Sequence, residues 1–108
     1  AVMLFGGEYS HSVLKKAKKG DFRVQDDFGG SVEKINPSLE IIELAEKTVK
    51  SLKTMPLYGR VDIILDNGSN PVISELELIE PELWFRFKEE SAYKLAEIVK
   101  DFLNKLNC

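Results

Sequence analysis

The chain has one cysteine, one histidine and one tryptophan, and basic side chains do not outnumber acidic ones. Each scarcity excludes something. Cys108, the last residue, cannot form an internal disulfide, so the framework of a small secreted scaffold does not apply and a reducing, cytoplasmic setting is expected. The longest apolar run, Ala1–Phe5, is far below the ~20 residues that a membrane-spanning helix needs. It has neither a basic leader nor a cleavage signature, so it does not read as a signal peptide, and no membrane partner is expected. Without a second histidine or a neighbouring cysteine, His11 has no companions for a zinc site. A net charge of −3 argues against a nucleic-acid partner, whose affinity would rest on a basic face.

What is present suffices for one domain spanning residues 1–108, with 44% apolar residues to build its core. The absence of an initiator Met gives the look of a piece cut from a longer chain. Val2–Phe5 and Tyr9–Ala17 read as strands around a Gly6-Gly7 turn. Asp21–Gln25 can continue as strand before a charged, glycine-tipped loop, Asp26–Gly30, and Ser31–Ile35 resumes an extended stretch. Asn36-Pro37 predicts a helix start with Asn36 as cap. Ile41, Leu44, Ala45, Thr48, Val49 and Leu52 follow the spacing of one buried helical stripe, which Met55-Pro56 would end. Tyr58–Leu65 and Val72–Leu78 read as a hairpin. A second helix over about 89–106 carries Leu95, Ile98, Val99, Phe102, Leu103 and Leu106 on one face. Such mixing without regular alternation predicts an α+β fold: a largely antiparallel sheet with two long helices packed on it.

Charge concentrates in the hairpin. From Arg60 to Glu82 the chain carries Asp62, Asp66, Glu75, Glu77, Glu80 and Glu82 against Arg60 alone. Side chains alternate along a strand, so Glu75 and Glu77 share a face. A four-residue loop over Asn67–Asn70 would set Asp62 directly opposite Glu75; a two-residue Asn67-Gly68 turn would set them diagonally. Both put three carboxylates on one face, and only a register with an even index sum separates them. Two such charges ~5 Å apart at an effective dielectric of ~20 repel by roughly 3 kcal/mol. A divalent cation of the Mg2+ kind would offset this repulsion. So would Arg60 or a lysine beside a merely solvated acidic face.

Lys15, Lys16, Lys18 and Lys19 form a basic cluster that reads first as a solvated edge. Arg23 precedes Gly29-Gly30, where backbone can approach a ligand closely, and its planar fork suits phosphate or carboxylate oxygens. His11 reads as a structural histidine before a catalytic one. Trp84, Phe85 and Phe87 read as core or as a patch facing another domain.

In order, Phe5-Gly6-Gly7-Glu8-Tyr9-Ser10-His11-Ser12-Val13-Leu14-Lys15, then Gly20-Asp21-Phe22-Arg23-Val24-Gln25, then Gly29-Gly30, resemble the C-terminal lobe of ATP-grasp, glutathione-synthetase-like ligases. Arg60-Val61-Asp62 followed by Glu75-Leu76-Glu77-Leu78-Ile79-Glu80-Pro81 looks like that lobe's metal-binding hairpin. The resemblance implies an enzyme that activates a small carboxylate with ATP as an acyl phosphate and joins it to an amine. It implies Mg2+ (or Mn2+) on Asp62 and Glu75, with Glu75 and Glu77 holding a second ion. Arg23 would be catalytic, contacting the transferred phosphoryl oxygens, and Gly29-Gly30 would belong to the closing loop. His11 and Lys15 would lie on the substrate or phosphate side. Many relatives carry Asn where this chain has Glu77. The family's preceding domain and first nucleotide-binding lobe would be further partners, so this fragment alone is expected to be inactive. A non-catalytic interaction module that keeps the same architecture is the alternative, and a Mg2+-dependent hydrolase stands behind both.

Overall fold

The computed structural model describes residues 1–16 and 31–106. Five strands form one sheet: β1 (Val2–Phe5), β2 (Glu8–Lys16), β3 (Ser31–Lys34), β4 (Tyr58–Leu65) and β5 (Pro71–Glu77). Their order is β3-β2-β1-β4-β5, and every neighbouring pair is antiparallel. Helices α1 (Leu39–Lys50) and α2 (Glu90–Leu106) complete the α+β fold expected from the sequence.

The short, wholly apolar β1 lies at the centre, and every one of its four residues is buried. Val2 and Leu4 face α1, packing with Ala45, Val49 and Val61. Met3 and Phe5 face the other way, with Val13, Leu83 and Trp84 and, beside them, Leu95 and Ile98 of α2. The two helices therefore cover opposite faces. Gly6 and Gly7 both have positive φ, +61° and +85°, as a two-residue hairpin loop with matching twist requires. A Cβ on Gly7 would fall 2.6 Å from the Met55 sulfur. That thioether can move, so the lasting cost of Gly7→Ala is the left-handed backbone, about 1–2 kcal/mol. Urea denaturation should show that loss with an unchanged slope.

Helix α1 starts later than Asn36-Pro37 predicts. Ser38 is the cap, extended at φ −65° and ψ 158°, and its hydroxyl accepts from the Ile41 N–H. The Ser38 carbonyl meanwhile accepts from Ile41 and Ile42, so Pro37 precedes the cap instead of opening the first turn. The helix also ends early. Ser51 caps its C-terminus before Leu52 and well before Met55-Pro56. On α2 the expected stripe is only half used: Leu95, Ile98 and Val99 are half-buried, whereas Phe102, Leu103 and Leu106 are exposed.

The β4–β5 register holds a correction that decides the site. Near the turn, Leu65 opposes Pro71 and Ile63 opposes Ile73, an even index sum. Continued unbroken, it would set Glu75 beside Val61 on the face toward α1. A bulge at Ser74 inserts one residue, and beyond it Asp62 opposes Glu75 and Arg60 opposes Glu77. The turn alone would have separated the carboxylates; the bulge reunites them.

Candidate metal and phosphate site

Asp62 on β4 and Glu75 and Glu77 on β5 each present a carboxylate oxygen, and these atoms lie within 4.8 Å of one another. Asp62 is buried, Glu77 half-buried and Glu75 exposed, so the cluster opens to solvent on one side. Two cations answer it. Lys15 reaches across the N-terminal end of β1 to Asp62 Oδ2 at 2.7 Å. Arg60, two residues before Asp62 on the same strand face, donates to Asp62 Oδ1 at 3.0 Å and Oδ2 at 3.1 Å, and to Glu77 Oε1 at 2.7 Å. The two ways of offsetting repulsion that the sequence left open thus share one place: oxygen donors spaced for a divalent cation, and basic side chains that neutralise them.

Burial pushes the Asp62 carboxyl upward, but hydrogen bonds and charge from Lys15 and Arg60 outweigh it and hold the group below its usual value. Glu77 moves the other way. Burial, a hydrogen bond shared with Glu75 and the charges of Asp62 and Glu75 raise it against the pull of Arg60. A carboxyl raised by folding stabilises the fold fully below its unfolded pKa, and that contribution is lost as pH rises through the folded value. With metal chelated, the melting temperature of the wild type should therefore gain, relative to Glu77→Gln, as pH falls from 7 toward 5. Parallel curves for the two proteins would contradict the coupling of Glu77 to its acidic neighbours.

The segment after β5 crosses this face as a strap, running into a 3-10 turn at Phe85–Phe87. Arg60 Nη1 donates to the Glu82 carbonyl at 3.2 Å, and His11 Nε2–H donates to the Leu83 carbonyl at 2.8 Å. Since that carbonyl only accepts, His11 Nδ1 is the acceptor of the Ser10 hydroxyl at 2.8 Å. Burial lowers the His11 pKa, with Lys88 and Lys34 adding to this against the Leu83 and Trp84 backbone bonds, so the ring is neutral at pH 7. Both ring nitrogens are thus engaged, Nε2 holding the strap to β2 and Nδ1 accepting from the neighbouring Ser10, and His11 is not among the three clustered carboxylates' partners.

Trp84 follows on the strap, buried, with a left-handed backbone at φ 46° and ψ 50°. Its ring lies 5.0 Å from the Arg60 guanidinium carbon and 6.0 Å from Lys15 Nζ. Nothing local in the chain signals this contact beyond an aromatic near a proline. For Arg60 a signal existed: its two-residue spacing from Asp62 puts both side chains on one face of a strand. Arg23, Gly29 and Gly30, together with the expected Asp21–Gln25 strand and Asp26–Gly30 loop, lie outside the described residues.

This sheet, with helices on both faces and acidic side chains paired across adjacent strands, has the architecture of an ATP-grasp-like lobe. Among solved structures, it is similar to the crystal structure of D-cycloserine synthetase DcsG, with a TM-score of 0.79 and 25% identity. The match covers 94% of this chain and 37% of that one, so the chain spans little more than a third of this neighbour's length. No protein-family model and no curated relative matches the sequence. Among the described residues, no helix is long and apolar enough to cross a membrane.

Proposed function

We propose that this chain is the metal- and ATP-phosphate-binding lobe of an ATP-dependent carboxylate–amine ligase, which activates a small carboxylate as an acyl phosphate and couples it to an amine. The observation that carries this reading is the convergence of Asp62, Glu75 and Glu77 within 4.8 Å, beside Arg60 and Lys15. All-oxygen donors open on one side fit Mg2+ or Mn2+, ions that complete their shells with water and substrate phosphates. Such an ion, when bound, neutralises charge on the transferring oxygens.

The chain's own residues do the rest. Asp62, held ionised, and Glu75 are the primary ligands; Glu77 joins Glu75 toward a second ion. Lys15 and Arg60, once their carboxylates loosen, are donors for phosphate oxygens at the same place. Arg23 is assigned to the transferred phosphoryl group, and Gly29-Gly30 to the loop over the reacting atoms. An ATP-grasp cleft is formed by two lobes, so these 108 residues alone should turn over ATP negligibly.

The test is therefore binding. Mn2+ and ATP together should form a ternary complex with the chain, seen as enhanced water-proton relaxation, and Asp62→Asn should abolish it. If Mn2+ leaves the wild type unaffected at millimolar concentration, the site is a self-neutralised acidic face and the interaction-module reading takes its place.

A further inference from the structure

We propose that Trp84 is a positioning residue for the metal and phosphate site, acting through Arg60. This rests on the metal-binding reading above and adds a residue to it. Arg60 is held on three sides: by the carboxylates of Asp62 and Glu77, by the Glu82 carbonyl, and by the Trp84 ring 5.0 Å from its guanidinium carbon. A divalent cation among Asp62, Glu75 and Glu77 competes with the first of these three. A cation that draws on the same carboxylate charge loosens the hold of Asp62 and Glu77 on Arg60 and Lys15.

What remains unchanged for them is the indole face and, for Arg60, the Glu82 carbonyl. A π-face attracts a cation, most strongly away from water. Trp84 is 6% exposed, and Lys15 Nζ also lies 6.0 Å from its ring. The platform is fixed to the sheet independently of the acidic cluster. His11 tethers Leu83, the preceding residue, and Trp84 packs among Met3, Phe5 and Val13. Its left-handed backbone, uncommon for a bulky side chain, persists because both tethers determine it. Arg60 needs the ring more in the metal-bound state, where its carboxylate partners hold it less. Trp84 therefore favours cation binding, and it keeps the guanidinium beside the site instead of releasing it to solvent.

The experiment measures Mn2+ affinity of the full chain by electron paramagnetic resonance of the free ion. Trp84→Met keeps apolar bulk and removes the π-face; it should weaken binding by about 3- to 10-fold. Trp84→Phe keeps a ring and should stay within about twofold of wild type. In an Arg60→Met background the effect of Trp84→Met should shrink to the smaller part carried by Lys15, as expected of residues that act through one another. A purely structural role predicts the same loss with or without Arg60, and that result overturns the proposal. So does wild-type affinity in Trp84→Met.

Should Trp84→Met fail to fold, the wild type still decides. Trp84 is the single tryptophan, so its emission should shift on Mg2+ titration as Arg60 moves, with a midpoint equal to that of binding. Binding without any emission change overturns the role of Trp84. Absence of binding, with Glu75→Gln indistinguishable from wild type, instead overturns the metal reading itself.

Discussion

Adding Mg2+ or Mn2+ to about 100 times its dissociation constant should raise the melting temperature of this chain by about 10–20 °C. A ligand that binds only the folded state adds roughly 2.7 kcal/mol at that excess. Each kcal/mol moves a domain of this size by ~4–8 °C. Selectivity for the folded state is assured by topology: Asp62 and Glu75 belong to different strands and meet only once β4 and β5 have paired beyond the bulge. Lys15 and Arg60 already neutralise part of the cluster and compete with an ion for its charge, so they weaken affinity. The titration must therefore reach millimolar metal. Differential scanning fluorimetry of wild type and Glu75→Gln decides the matter. Equal shifts in the two proteins would mean that metal binds elsewhere.

Asp62→Ala, in the absence of metal, should cost about 3–5 kcal/mol, the range for removing one partner from a buried ion pair. The Arg60 side chain is only 9% exposed and would keep its charge without Asp62, leaving Glu77 as its remaining carboxylate. Its partner's titration should follow the same logic. Burial raises the Asp62 pKa, yet Lys15 and Arg60 lower it further, so the folded value lies below the unfolded one. Its contribution is then fully present above an unfolded pKa of ~3.9 and is lost as pH falls through the folded value. Chemical denaturation between pH 7 and pH 2.5 should show a steep acid loss in the wild type that is blunted in Asp62→Ala. If the substitution is tolerated within about 0.5 kcal/mol, as at an ordinary surface position, the ion-pair network carries no stability.

Periodicity made most elements legible. The stripe of Ile41, Ala45 and Val49 is a consequence of burial on one side, and burial is written in residue type. The helix start was misplaced because Asn36 and Ser38 are both good caps. The choice between them depends on which side chain meets the Ile41 N–H, a matter of backbone path. Asp62, Glu75 and Glu77 are legible as a set only because two departures from the expected hairpin cancel: the turn shifts the register by one and the Ser74 bulge shifts it back. Their balance is not. Lys15 is 47 residues from Asp62, and Arg60 and Trp84 belong to segments joined only by the folded sheet. Contacts of that separation leave no local trace in sequence.

The Ser74 bulge also divides the hairpin into two parts that answer to different demands. Everything distal to it, from Ile63 through the Asp66–Asn70 loop to Ile73, is free to follow the chemistry of its turn, with Asp66 accepting from Gly68 and Asn70. Everything proximal holds the carboxylates in phase. What the site requires is that Asp62 and Glu75 stay opposed, so an added residue is harmless where the loop beyond Leu65 and Pro71 or a bulge takes it up. Such a hairpin can therefore vary its tip while its carboxylates stay together, whereas an insertion that shifts the paired strands by one residue must be answered by a bulge made or erased.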